Sequence, residues 1–209
     1  MVRHAVAAHF TPRDAGSHRL VKIEARYDRA FWLYVLTGGK TQLGDLDALL
    51  RAMWLECCGH MSAFLEPDRR GDRPMSERVS RLALGEPVTY WYDFGSTTEL
   101  LVTPVKAMAP PSDRALGGRI AIIARNSPPV IACVQCGGPA GVICQQCQWD
   151  EANPMFCDAC FEPHTAQPPR AGEDRHGEYR LPVVNSPRIG ECGYAGGSDE
   201  FDFDPSVFA

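Results

Sequence analysis

Hydrophobic and polar residues alternate near the start of the chain, as they do in half-buried strands. Residues 19–25 place Val21 and Ile23 on one face, and a second apolar run follows at 31–36, before Gly38 and Gly39. Alternation over a few residues is typical of a β-strand, and the break at 27–29 has turn chemistry. The pattern therefore predicts a β-hairpin over residues 19–36.

A helical period replaces the alternation after Thr41. Thr41 can cap a helix, and Asp45 and Asp47 are well placed near its positive N-terminal end. Apolar residues then recur at helical spacing: Leu43, Leu46, Leu49, Leu50, Met53, Trp54 and Cys57. The pattern predicts a helix that ends near Gly59 and carries an apolar face broad enough to cover a sheet.

Strand signals return at 87–92, at 99–105 and at 120–124, whereas residues 66–79 have the composition of a charged, solvated loop. Residues 93–96 supply turn chemistry between the first two of these strands. The element order predicts an α+β fold, with a mostly antiparallel sheet and a helix packed on one face. Pro128 and Pro129 then form a stiff joint before a second, smaller domain.

Charge and cysteine content both change at this joint. Residues 1–128 hold 17 Lys and Arg against 14 Asp and Glu, whereas residues 129–209 hold 4 against 12. Seven of the nine cysteines also follow residue 129. A break of this kind marks a domain boundary. We predict a flexible N-terminus over 1–17, an α+β domain over 18–128, a metal-binding module over 129–195 and an acidic flexible tail over 196–209.

Composition and hydropathy exclude two broad classes of protein. The hydrophobic fraction of 44% and the charged fraction of 22% are typical of a globular chain, which excludes wholesale disorder. No apolar run approaches the ~20 residues of a membrane helix, and residues 1–11 lack the apolar core of a signal peptide. We therefore expect a cytoplasmic protein without membrane contact.

Three Cys-x-x-Cys pairs and two histidines carry the most informative chemistry. They are Cys133 and Cys136, Cys144 and Cys147, Cys157 and Cys160, followed by His164 and His176. Two thiolates at this spacing reach one ion from a tight turn, and Gly137 and Gly138 suit such a turn. Eight ligands predict two tetrahedral zinc ions with a structural role. A redox centre, a disulfide framework and an iron–sulfur cluster are weaker alternatives.

The ligand pairing follows from the short spacing between the first two pairs. Only seven residues separate Cys136 from Cys144, which favours a crossed arrangement. One ion would then be held by Cys133, Cys136, Cys157 and Cys160, and the other by Cys144, Cys147, His164 and His176. Cys192 could complete the second site in place of His176, although we expect it to be a small buried thiol. We expect the adjacent Cys57 and Cys58 to be core residues as well.

Four segments carry a resemblance to a known family: residues 31–36, the helix over 43–54, residues 60–64 and residues 90–95. On these segments, residues 18–107 resemble the pRiA4b ORF-3-like family of bacterial plasmid and mobile-element proteins. The resemblance implies a small α+β domain without an assigned reaction. Ser62, Ser96, Thr98 and Leu100 depart from the family's polar pattern. The cysteine region resembles the cross-braced zinc domains of the B-box and ZZ type.

These observations favour a non-enzymatic zinc-binding interaction protein whose partner is another protein. One alternative is a DNA-associated regulator of a plasmid or mobile element, suggested by the family and by the arginines between 69 and 81. The acidic second domain disfavours nucleic acid. A second alternative is an enzyme with a site around His60 and Asp93, although the sequence shows no nucleophile beside them. The sequence leaves the oligomeric state open.

Overall fold

A seven-stranded antiparallel sheet forms the N-terminal part of the molecule. The computed structural model describes residues 16–66, 71–108, 120–150, 152–166, 176 and 179–197. The strands are β1 (His18–Ala25), β2 (Trp32–Thr37), β3 (Ser62–Leu65), β4 (Asp72–Arg73), β5 (Val88–Tyr92), β6 (Thr98–Met108) and β7 (Ile120–Arg125). Their order in the sheet is β4-β3-β5-β6-β1-β2-β7. Every neighbouring pair is antiparallel. The α+β prediction is therefore confirmed.

The register of the predicted hairpin places its apolar residues together. Val21 lies opposite Val35 and Ile23 lies opposite Leu33. All four side chains are fully buried. Since successive side chains of a strand point to opposite faces, this register directs one face of β1 and β2 into the core. The longest strand, β6, pairs with the other edge of β1.

A short helix supplies the other buried apolar face of this unit. Helix α1 (Leu43–Leu50) continues into a π-helical turn over Arg51–Leu55. The predicted cap is wrong by one residue, because Gln42 is the N-cap. Its backbone N–H donates to Asp45 Oδ2 at 2.7 Å. Thr41 instead hydrogen-bonds through its backbone N–H to Gly38 O and through its carbonyl to Val79 N–H.

The helix also ends earlier than the apolar period predicts. The last helical residue is Leu55, and Glu56 is extended, with φ −68° and ψ 118°. Cys57 therefore lies beyond the helix, in a turn in which Gly59 has φ +81°. The predicted charged loop is also partly wrong, because β4 lies within it and pairs with β3 through Phe64 and Arg73.

The C-terminal unit, Ser127–Gly196, is a compact unit of its own, distinct from the N-terminal unit that extends to Asn126. It contains β8 (Val142–Cys144), β9 (Met155–Phe156) and β10 (Arg180–Pro182), in the antiparallel order β10-β8-β9. Helix α2 (Gln145–Trp149) follows β8, and helix α3 (Asp158–Thr165) follows β9. The predicted flexible segments 1–17 and 196–209 lie outside the described residues, apart from residues 16, 17, 196 and 197. No described helix has the length and apolar character to cross a bilayer.

Candidate metal centre

The first cluster of the C-terminal unit consists of four thiols. Cys133, Cys136, Cys157 and Cys160 place their sulfur atoms within 4.8 Å of one another. The Sγ atoms of Cys136 and Cys157 are 3.7 Å apart. These are the four residues that the crossed pairing assigns to one ion.

Two local structures position these thiols. Cys133 and Cys136 lie in a tight turn in which Cys133 N–H donates to Gly138 O at 2.6 Å and Gly137 N–H donates to Cys133 O at 2.9 Å. Gly137 has φ +74°, a left-handed conformation that glycine adopts without a steric cost. Cys157 is the N-cap of α3, and Cys160 lies in the first turn of that helix. The turn and the helix start therefore face one point.

The second cluster combines two thiols and two imidazoles. The ligand atoms of Cys144, Cys147, His164 and His176 lie within 4.8 Å of one another. Cys147 Sγ is 3.3 Å from His164 Nε2 and 3.4 Å from His176 Nδ1. Cys144 Sγ is 3.5 Å from the same nitrogen of His176. Cys144 ends β8, Cys147 lies in α2 and His164 lies in α3, so three elements converge on this cluster.

The separations within both clusters match the edges of a zinc tetrahedron. With Zn–S at about 2.3 Å and Zn–N at about 2.05 Å, tetrahedral angles place two sulfurs about 3.8 Å apart and a sulfur and a nitrogen about 3.6 Å apart. The observed distances are 3.7 Å for the sulfur pair and 3.3–3.5 Å for the sulfur–nitrogen pairs. Both clusters are therefore able to hold a metal ion, and their donors suit zinc.

The ionisation of these groups depends on a compensating cation. Hydrogen bonding to Cys157 and burial raise the pKa of Cys160 to about 12. Burial and the neighbouring Cys144 raise the pKa of Cys147 to about 12. For Cys133, burial opposes ionisation, but hydrogen bonding to the backbone of Cys157, Cys136 and Gln135 lowers its pKa to about 6. Four close thiols cannot all become thiolates alone, whereas a divalent ion stabilises that state.

His164 of the second cluster is prepared as a neutral ligand. Burial lowers the pKa of His164, and the neighbouring His176 lowers it further. The ring of His164 stacks on Phe156, with centroids 4.3 Å apart. A neutral imidazole offers a lone pair to a metal, so burial and packing favour the ligating form.

Two expectations about the remaining cysteines are wrong. Cys192 lies outside the second cluster and is exposed, where a buried thiol was expected. Its φ of +48° shows that it occupies a left-handed turn. Cys57 is only half-buried and Cys58 is exposed, so neither is a core residue. Both lie close to His60, a grouping that sequence reasoning missed although the Cys-Cys-x-His spacing contains it.

The suggested pair of His60 and Asp93 is brought together by the fold. His60 Nε2 lies 3.5 Å from Asp93 Oδ2. Asp93 is buried in the turn after β5, with φ +62°, and its Oδ1 accepts a hydrogen bond from Gly95 N–H at 2.9 Å. The carboxylate is therefore held by its own turn.

Comparisons with known proteins add little to this geometry. No protein-family model matches the chain, and no curated protein matches it. The crystal structure of MM3350, a protein of unknown function from Methanosarcina mazei Go1, resembles it with a TM-score of 0.43 and 14% sequence identity. That match covers 58% of this chain and 74% of the other. A likeness at this level carries no argument about function, which therefore depends on the clusters themselves.

Proposed function

We propose that the chain is a non-catalytic zinc protein whose C-terminal unit is a cross-braced module, held by two structural Zn²⁺ ions and used to contact another protein. The observation that carries this proposal is the interleaving of the two donor sets. The first set, 133, 136, 157 and 160, encloses the pair 144 and 147 of the second set. Each ion then links segments that lie far apart in sequence.

A structural role for the metal follows from the size and composition of this unit. Its buried apolar cluster is small, and two of its members are the ligands Cys144 and Cys147, packed with Val142, Phe156 and Phe161. Small domains with limited cores depend on metals or disulfides for stability. Four protein donors complete a tetrahedral ion and leave no position for a reacting water, which favours structure over catalysis.

A protein partner is supported by exposed aromatic surface on the same unit. Trp149 is 58% exposed and Tyr179 is 55% exposed, and their ring centroids are 5.7 Å apart. Paired exposed aromatic side chains are typical of protein contact sites. Residues 129–209 carry a net charge of −8, and six thiolates with two Zn²⁺ ions make it about −10. Such a unit repels phosphate, which disfavours nucleic acid.

The N-terminal domain enters the proposal as a scaffold resembling the pRiA4b ORF-3-like family. The support is its α+β architecture together with the position of residues 62–64 on β3, of residues 90–92 on β5 and of residues 93–95 in the following turn. The arginines between residues 69 and 81 do not favour a DNA interface. One of them, Arg73, forms an ion pair with Glu77, in which Nη1 lies 2.9 Å from Oε1.

The zinc content of single variants, compared with that of the wild type, tests each of the two structural sites. We expect Cys136→Ser to lose one equivalent of zinc and Cys147→Ser to lose a different one, so that the double variant loses two. Gln135→Ser, a substitution in the same turn, is the matched control and keeps the wild-type count. If the two single variants each lose both equivalents, the module is one cooperative unit; if neither loses any, the zinc proposal is wrong.

A second experiment separates the protein-contact role from the zinc role. Chemical cross-linking in the native cell should yield a defined partner with the wild-type chain, and Trp149→Ala with Tyr179→Ala should abolish that product while keeping the zinc. Tyr27→Ala, which removes an 82% exposed aromatic ring from the N-terminal unit, is the control. An unchanged product in the double variant would contradict the assignment of this surface.

A further inference from the structure

A third group of metal-ligating side chains lies in the N-terminal unit, in the turn that follows the π-helical residues. Cys57, Cys58 and His60 place their ligand atoms within 4.8 Å of one another. The two sulfurs are 3.9 Å apart, close to the tetrahedral edge of about 3.8 Å. Cys58 Sγ is 3.0 Å from His60 Nε2. His60 returns to the two thiols because Gly59, with φ +81°, folds the chain back between Cys58 and His60.

Hydrogen bonds from Arg51 tie both ends of this turn together. Its Nη1 donates to Glu56 Oε2 at 2.6 Å, and its Nη2 donates to the carbonyl of His60 at 2.6 Å. Glu56 Oε1 in turn accepts a hydrogen bond from Gly59 N–H at 2.5 Å. The backbone that carries all three donors is thus fixed by one guanidinium and one carboxylate, which preorganises the group for a ligand.

Tyr92 supports the same turn from β5. The backbone N–H of Cys57 donates to Tyr92 Oη at 3.4 Å, and Tyr92 Oη donates to Glu56 Oε1 at 3.1 Å. The ring of His60 meets the ring of Tyr92 edge-on, with centroids 5.8 Å apart. This contact limits the rotation of the imidazole, so that Nε2 stays on the side of the thiols.

The electrostatics of the turn suit a divalent cation with two thiolates. Two thiolates balance the charge of Zn²⁺, and a neutral imidazole adds no charge. The buried carboxylate of Asp93, with Oδ2 at 3.5 Å from His60 Nε2, adds negative potential beside the ion. The Arg51 guanidinium lies over the Tyr92 ring at 4.9 Å and offsets part of it.

We propose that Cys57, Cys58 and His60 of the N-terminal unit form a third zinc site, in addition to the two in the cysteine module. Two sulfurs and one imidazole nitrogen select a borderline-soft divalent ion such as Zn²⁺ over Mg²⁺ or Ca²⁺. Three side-chain donors are enough to hold zinc, because water or another donor completes the tetrahedron. Since three side chains of this turn hold the ion, whereas each module cluster offers four, its zinc exchanges more readily than zinc in the module.

The test is a zinc count on the full chain, purified with a thiol-free reductant and equilibrated with Zn²⁺. We expect three equivalents for the wild type and two for Cys58→Ser and for His60→Ala. Met61→Ala, which changes a 70% exposed neighbour that offers no strong donor, should keep three. The zinc count of Cys136→Ser should also fall to two, but this variant keeps the third site. The two results together distinguish the third site from the two sites of the module.

Alkylation of the wild-type chain provides an independent measurement that requires no variant. A chelator added stepwise should remove one equivalent first, and mass spectrometry should find Cys57 and Cys58 alkylated at that step, before the six cysteines between residues 133 and 160. Replacing zinc with Co²⁺ should add a third set of visible bands that His60→Ala removes. A wild-type count of two together with rapid alkylation of Cys58 in excess Zn²⁺ would overturn the proposal.

Discussion

Removal of the Asp47 carboxylate should lower the free energy of unfolding of the N-terminal unit by more than removal of an exposed surface charge would. Asp47 Oδ1 accepts hydrogen bonds from Tyr90 Oη at 2.7 Å and from Ser62 Oγ at 2.5 Å. Asp47 Oδ2 accepts one from Arg51 Nε at 3.0 Å. The Tyr90 side chain is fully buried, so its hydroxyl cannot turn to water when this acceptor is lost. Arg51 also holds the turn at His60, which links the network to the third metal site.

The magnitude follows from the three donors that Asp47→Ala leaves behind. A buried hydroxyl without its acceptor costs about 1–3 kcal/mol, and the neighbouring Ser62 hydroxyl recovers part of this. The partly buried ion pair with Arg51, at i and i+4, adds about 0.5 kcal/mol. We therefore expect a loss of about 2–3 kcal/mol in the free energy of unfolding. Tyr90→Phe alone, which leaves Asp47 with two partners, should cost about 1–1.5 kcal/mol.

A double-mutant cycle tests this reasoning directly. In a Trp149→Phe background the remaining tryptophans all belong to the N-terminal unit, so their fluorescence follows the urea unfolding of that unit. Asp47→Ala should cost about 1–2 kcal/mol less when Tyr90 is already Phe, because no hydroxyl is then left without its acceptor. Asp45→Ala, on the same helix, is the control and should be additive with Tyr90→Phe. Additivity of Asp47→Ala within about 0.5 kcal/mol would refute the network.

Three further predictions concern pH, metal and ligand identity. Burial and the charge of Asp47 raise the pKa of Tyr90 above its ordinary value. The stability that neutral Tyr90 contributes is therefore complete below about pH 10 and is lost as the pH rises further. In urea titrations, the difference in the free energy of unfolding between wild type and Tyr90→Phe should shrink between about pH 9 and pH 11. A strong chelator should unfold the C-terminal unit while the near-UV circular dichroism of the N-terminal tryptophans persists, and simultaneous loss of both signals would contradict separate folding. His176→Ala should expose Cys144 to alkylation, whereas Cys192→Ser should leave it protected; the reverse result would make Cys192 the eighth ligand.

The local patterns of the chain predict the hairpin and the two groups of donor side chains that the fold brings together. Alternation at Val21 and Ile23 identifies a strand because burial on one face imposes a period of two. The Cys-x-x-Cys spacings identify ligand pairs because two thiols at that distance share one turn. The crossed arrangement follows from the short separation of Cys136 and Cys144, a constraint of chain length that requires no knowledge of the fold.

The features that the sequence does not reveal depend on contacts between distant segments. Strand β4 has two residues, and only its pairing with β3 makes it a strand. The helix cap moves to Gln42 because the backbone of Thr41 is already bonded to Gly38 and Val79. Cys57 continues the apolar period of α1, but the π-helical turn changes the phase of that period and ends it at Leu55. The thiols of the third group therefore leave the core, and no local pattern shows this.

The interleaved donor sets also imply an order in which the chain binds its metal ions during synthesis. The first four-donor cluster is complete once Cys160 has left the ribosome, whereas the second waits for His176. During that interval Cys144 and Cys147 already lie within the segment that the first ion encloses, since Cys136 precedes them and Cys157 follows them. Binding of the first ion closes the chain between Cys136 and Cys157 into a loop. This lowers the entropic cost of bringing Cys144 and Cys147 to their histidine ligands. We therefore expect the nascent chain to acquire its two module metals in sequence, the all-cysteine centre before the mixed one.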